Sequence, residues 1–208
     1  MMKFGWIAAT GLALVLCSTA ARAGNPREHD GFFLRMSVGG GHADTELDEE
    51  IGPGELELDG LCGDYNFAVG GVVAQNLAIH GTFFGWGIED PDAELFDEGI
   101  EGEAELNGRL SMAAIGGGIT YYLMPINIYF SGSIGGAKLY LHDDDNDIDG
   151  DSDIGIAGDL TVGKEWWVGN SWGLGVAGAM SLHSIPDDEI DSSWSGKSFT
   201  IRFTSTFN

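Results

Sequence analysis

From Gly31 to its end the chain alternates with a period of two. Phe32, Leu34, Met36 and Val38 are interleaved with Arg35 and Ser37. Leu61, Tyr65, Phe67, Val69 and Val73 are interleaved with Cys62, Asp64, Asn66 and Ala68. Successive side chains of an extended strand project to opposite faces, so this pattern predicts strands with one apolar face and one polar or small face. No window of helical periodicity follows residue 23.

Eight such strands are expected. They run over Gly31–Ala43, Leu61–Gln75, from Leu77, from Leu106 to Leu123, from Ile126 to Leu141, from Ile154, from Trp172, and finally through Phe199, Ile201, Phe203 and Phe207. Glycines at Gly85, Gly116–Gly118 and Gly135–Gly136 read as bends or bulges. The connections alternate in length. Short turns are expected at 75–76, 124–127 and 169–171, and long loops at 44–60, 89–105, 142–153 and 184–192. Even strand number and alternating short and long connections predict an all-β, eight-stranded antiparallel up-and-down transmembrane barrel. Lipid cannot satisfy backbone hydrogen bonds, so a spanning sheet must close on itself.

Charge supports this choice over a soluble sandwich. Arg35, Arg109 and Arg202, with Asp64, Asp159 and Glu165, fall opposite the apolar faces. In a barrel of eight strands the interior is just wide enough for side chains, and these six residues form the expected lumen charge network, pairing across it. Tyr121, Tyr122, Tyr129, Trp166, Trp167 and Trp172 cluster near strand ends, as expected of an interfacial girdle.

The start of the chain reads as an export signal. Lys3 precedes an apolar stretch from Ile7 to Leu16, too short to span a bilayer as a helix, and Ala21-Arg22-Ala23 has the form of a cleavage site. Residues 1–23 are therefore expected to be removed, leaving one barrel domain over 24–208. That domain keeps a single cysteine, Cys62, read as a small buried residue without a disulfide.

The mature chain resembles the small eight-stranded outer-membrane barrels of Gram-negative bacteria, the OmpA/OmpX type. Phe199, Ile201, Phe203 and Phe207 resemble that family's C-terminal assembly signal, with Asn208 following where the family usually ends on the aromatic. The resemblance implies an integral outer-membrane protein. It implies short turns and termini in the periplasm, long loops outside the cell, surrounding lipid, and a passage through the insertion machinery.

Acids are concentrated where chemistry would sit. The chain has 33 Asp and Glu against 9 Lys and Arg, which excludes binding to nucleic-acid phosphates. The four long connections hold 28 of these acids and no Lys or Arg. One stretch is sharper: Asp145, Asp147, Asp149 and Gly150 match the first half of a calcium loop, with Asp151 and Asp153 at later ligand positions. Ile156 stands where that motif requires a bidentate Glu. Ca2+ is the one cofactor the sequence suggests.

Catalysis has weaker support. His183-Ser184 lies near Asp187 and His80 lies on another strand, but adjacent strand residues face opposite ways and do not make a nucleophile–base pair. The expectation is a non-enzymatic barrel with acidic, cation-attracting loops that meet cations or surface partners. The alternatives are a narrow channel or small-ligand carrier, and then a lipid A-modifying enzyme.

Overall fold

The computed structural model describes residues 29–48, 54–97, 100–105, 107–143, 148–187 and 192–207. The expected export segment, 1–23, lies outside them. Eleven strands form one antiparallel sheet and no helix occurs among the described residues. Eight strands make the wall: β1 (Phe32–Asp48), β2 (Gly54–Ala74), β3 (Leu77–Glu89), β6 (Gly108–Leu123), β7 (Ile128–Asp143), β9 (Gly155–Trp167), β10 (Trp172–Asp187) and β11 (Ser192–Phe207). Each pairs with its chain neighbour in the wall, and β1 pairs with β11, so the ladder closes on itself.

The remaining strands lie within the long connections. β4 (Asp92–Asp97) and β5 (Ile100–Glu105) form a hairpin whose β4 pairs with the start of β2. β8 (Ile148–Asp151) folds back on the end of β7. Thus the acidic connections contain more strand than their charge density suggested. Glu55-Leu56-Glu57-Leu58-Asp59 is itself an alternating segment, paired throughout with β4 and from Leu56 onward with β1. β1 and β2 reach 17 and 21 residues, well beyond the roughly ten residues a spanning strand requires, so this end of the barrel stands clear of the lipid.

At the opposite end the turns are tight. Gln75-Asn76 and Met124-Pro125-Ile126-Asn127 reverse the chain, with Asn76 and Asn127 at φ 60° and 53°. Asn tolerates this left-handed conformation better than most residues.

Side-chain direction explains the sequence pattern and corrects part of it. Beside the turns, apolar side chains point outward: Val38, Phe67, Ile79, Ile119, Phe130, Val162 and Ile201 are all exposed. Towards the loop end the polarity inverts. In β6, Leu110, Met112 and Ala114 point inward and are buried, as does Thr120 further on, while Arg109 and Ile115 both point outward. In β2, Leu58 and Cys62 share the inward row with Asp64 and Asn66, while Glu57 and Phe67 share the outward row. The inversion needs no slip of register. β6 pairs with β7 without interruption across Gly116–Gly118 and Gly135–Gly136, and β3 passes Gly85 in register. The expected bulges are absent there; an irregularity falls instead at Val72–Ala74. What changes along the strand is the medium outside, from lipid to water, and the apolar row moves to whichever side is dry.

Candidate functional site: a filled lumen and an acidic sheet

The lumen is built in tiers. At the turn end His29 is buried and closes the mouth. Its ring stacks on Tyr122 at 3.6 Å and its Nε2 lies 2.8 Å from Asn127 Oδ1. Its backbone N–H donates to Asn76 Oδ1 at 3.3 Å. The two turn asparagines thus serve the turns with their backbone and the plug with their side chains. Tyr122, Tyr129 and Trp167 point into this region, so half of the expected aromatic girdle is a plug; Tyr121, Trp166 and Trp172 are the outward members.

Above the plug Arg35 donates to Ser131 Oγ at 2.8 Å and to Thr120 Oγ1 at 3.3 Å, and its guanidinium lies 4.7 Å from the Tyr129 ring centroid. Glu165 accepts from Thr206 at 2.6 Å and Thr204 at 3.3 Å. In the next tier Arg202 reaches two carboxylates from opposite parts of the wall. Its Nε and Nη2 donate to Asp64, the latter at 2.8 Å, and Nη1 and Nη2 donate to Asp159 at 3.0 and 2.6 Å. Asn66, Thr161 and Ser181 also donate to Asp159. A charge out of water is tolerated only when paired and hydrogen-bonded, and Arg202 meets both conditions through a planar fork that carboxylates match.

The loop-end tier is apolar: Phe84, Trp86, Ile88, Leu110, Met112, Leu139 and Ile185 pack together. His183 sits at its edge, its Nε2 3.0 Å from Thr45 Oγ1 and its ring beside Trp86. Ser184 points outward, away from it, and Asp187 accepts from Trp194 Nε1 at 3.3 Å. His80 lies 3.0 Å from Thr120 Oγ1. Among the described residues, neither histidine has a nucleophile and a carboxylate aligned on it.

Five of the six residues expected in the lumen are there: Arg35, Asp64, Asp159, Glu165 and Arg202. Arg109 is not. It lies beyond the inversion of polarity, exposed on the outer wall, 3.0 Å from Glu89. Of the calcium-loop residues, Asp145 and Asp147 lie outside the described residues, as does the side chain of Asp149. Asp151 is held by Lys138 at 2.6 Å and Asp153 donates its backbone N–H to Pro186. Gly150 lies in the β7–β8 ladder opposite Leu141.

The arrangement that sequence reasoning missed is on the outer face of β1, β2 and β4. Glu46 stands opposite Glu57, Glu57 opposite Glu94, and Glu94 opposite Glu103. One step along, Asp44 stands opposite Asp59, Asp59 opposite Asp92, and Asp92 opposite Glu105. Two rows of acidic residues therefore run across the sheet, and the side chains of Asp44, Glu46, Glu57, Asp59, Asp92 and Glu94 share its outer face. Carboxylate oxygens of Asp44, Glu46 and Glu57 lie within 4.8 Å of one another. Partial burial, and then Glu46, Asp44, Asp59 and Glu94, raise the pKa of Glu57 above the usual range. Basic side chains at this surface are few among the described residues: Lys197 lies 3.3 Å from Asp44 and His42 3.2 Å from Asp59. The signal was present in the alternation of acids with apolar residues at 55–59.

A closed eight-stranded barrel with an apolar outer belt and a charged, filled lumen is the architecture of the small outer-membrane β-barrels. A solved structure agrees. The chain superposes on Neisserial surface protein A (NspA) with a TM-score of 0.54 at 10% identity, over 87% of this chain and 98% of that one. It is also similar to Ail, the attachment invasion locus protein of Yersinia pestis, with a TM-score of 0.43, 11% identity, and 85% and 99% of the two chains covered. OprG from Pseudomonas aeruginosa follows at 0.42, 11% identity, and 86% and 98% coverage. No protein-family model and no curated relative matches the sequence. The fold is therefore that of the small eight-stranded outer-membrane barrels.

Proposed function

We propose that the chain is a non-enzymatic protein of the Gram-negative outer membrane, exported by its N-terminal segment, whose working surface is the acidic sheet at the loop end. The observation that carries this is the double row of carboxylates across β1, β2 and β4. Like charges directly opposite one another in a sheet are destabilising, so this face costs stability and is best accounted for by cations that it gathers. The turn end faces the periplasm in this reading, and the sheet stands outside the cell, above the lipid. The filled lumen speaks against a channel, since side chains of the wall occupy the path water would take. The catalytic alternative finds no aligned nucleophile among the described residues.

The test is calorimetric titration of the refolded barrel in detergent with Ca2+, with Mg2+ as control. Saturable Ca2+ binding that weakens in Asp44→Asn with Glu57→Gln supports the sheet as the site. Loss instead in Asp147→Asn with Asp149→Asn assigns it to the Asp145–Asp153 segment. No binding of either ion removes the cation-gathering function.

A further inference from the structure

The two ends of the wall are charged very differently. The turn segments 72–77, 123–127 and 166–173 contain no Asp, Glu, Lys or Arg. Composition does not account for this, since the four long connections at the other end hold 28 of the 33 acids. Turns that stand in water draw on polar residues. These turns instead present aliphatic side chains: Val73, Ile126 and Val168 are 60, 52 and 53% exposed. Among the described residues, Asp30 in the lead-in to β1 and Lys164 are the charged groups on the outside of this end.

This apolar cap is continuous with the belt that meets lipid. Phe32, Tyr121, Trp166 and Trp172 are exposed along its rim. The ring of Phe207 joins Trp172, at 5.2 Å, to Phe32, at 6.3 Å. Aromatic rings so placed anchor a barrel where hydrocarbon meets water, and no row of charge separates this rim from the turns. The loop end is built otherwise. Beyond Val38, Ile115 and Phe199 the outer face carries Asp44, Arg109 and Lys197.

Lys164 marks the height of the membrane surface at the turn end. It is paired with Ile128 and Val176. Its ammonium nevertheless donates to the carbonyl of Ile126 and lies 5.4 Å from the Trp166 ring centroid. The side chain leans towards the turn, as a lysine does when its stem lies in apolar surroundings and its charge seeks phosphates and water. The ammonium is therefore level with the turn at 124–127, and that turn lies at the height of the phosphates.

We infer that the turn end is seated in the headgroup layer of the leaflet on its side, with Val73, Ile126 and Val168 in contact with phospholipid, and does not project into the aqueous phase. Lipid is the occupant of this face because the face continues the lipid belt without a charged boundary. The barrel is then set asymmetrically in the membrane, flush at its turns and standing clear at its loops. The inference rests on the lipid belt and is independent of what the acidic sheet binds.

The test uses the full mature chain, with the buried Cys62 replaced by Ser, refolded into vesicles of phosphatidylcholine and phosphatidylglycerol. Val73→Cys, Ile126→Cys and Val168→Cys are made one at a time and labelled with a small fluorophore. Glu46→Cys in the acidic sheet and Ile201→Cys in the belt are the references for water and hydrocarbon. Because all five positions lie on the outside, the labels leave the barrel wall undisturbed. Each label is quenched by iodide present on both sides of the membrane, and separately by a phospholipid with a nitroxide on its headgroup. The three turn labels should be quenched by iodide several-fold less than the label at residue 46, and by the headgroup nitroxide more than the labels at 46 and 201. Iodide quenching equal to that at residue 46, without quenching by the nitroxide, means that the turns stand in water and overturns the inference. Labels shielded from both quenchers mean that protein covers the face; if dilution of the chain in lipid removes the shielding, the cover is a second copy, and this too overturns it. Labels exposed to iodide that become shielded only when soluble periplasmic proteins are added would assign the face to a protein partner instead of lipid.

Discussion

The ring of Tyr129 occupies the space that a side chain at Gly163 would need. The two residues are directly paired between β7 and β9, both facing the lumen, and a Cβ on Gly163 would lie within 2.7 Å of three atoms of the Tyr129 side chain. The buried ring in turn carries the Arg35 guanidinium. Gly163→Val should therefore destabilise the barrel by about 1–3 kcal/mol through overpacking. Gly178→Val, on the lipid side with nothing within 4 Å of its Cβ position, should be close to neutral. Urea unfolding followed by tryptophan fluorescence distinguishes them; similar midpoints for the two variants would contradict this account of the lumen.

Arg202 neutralises two buried carboxylates at once. Arg202→Met leaves Asp64 and Asp159 facing one another without a cation, a change expected to cost about 3–5 kcal/mol. Adding Asp64→Asn and Asp159→Asn to that variant should recover most of the loss, because the charges that needed Arg202 are then gone. Failure of the triple variant to recover would mean that the guanidinium acts by shape and not by charge. The same unfolding measurement serves.

The acidic sheet should respond to pH in the direction set by Glu57. Its folded pKa is raised, first by burial and then by Glu46, Asp44, Asp59 and Glu94. Folding thus favours the protonated form. The sheet is relatively destabilised at pH above the raised value, and that penalty is relieved as pH falls through it towards the ordinary glutamate value of about 4.3. Hydrogen exchange at 44–47 and 56–59, corrected for intrinsic rates, should slow on acidification from neutrality. Glu57→Gln should slow it already at neutral pH and flatten the dependence. Faster exchange on acidification would reverse the sign argued here.

A lumen packed in tiers should not conduct. Planar bilayers containing the purified barrel are expected to show no discrete conductance steps. Stable steps that alter in amplitude with Arg202→Met or Arg35→Met would establish a water path through the charged tier and restore the channel reading.

The wall of this barrel was legible because period two marks strands whatever the medium. Arg35, Asp64, Asp159, Glu165 and Arg202 could be placed in the lumen because each lies opposite an apolar row that meets lipid. Arg109 could not be placed by the same rule. Outside the lipid the rule reverses, as Leu110 and Met112 show by pointing inward, and the sequence does not mark the height at which lipid gives way to water. The acidic rows were hidden for a related reason. Acid density at 44–60 and 89–105 resembles that of solvated loops, whereas pairing partners far apart in the chain, such as Glu57 and Glu94, are set by register. Tyr122, Tyr129 and Trp167 were placed at the interface because one step along a strand separates a lipid-facing aromatic from a lumen-facing one.

The pairing of β1 with β11 joins Leu34 to Phe207 and Asp48 to Ser193, so the first strand of the wall finds its second partner only in the last. Until β11 is present, β1 and β10 each carry a bare ladder that hydrocarbon cannot satisfy. No shorter piece of this wall is at home in a bilayer. Insertion must wait for β11 to be made, or be performed by something that lends those two strands a partner in the meantime.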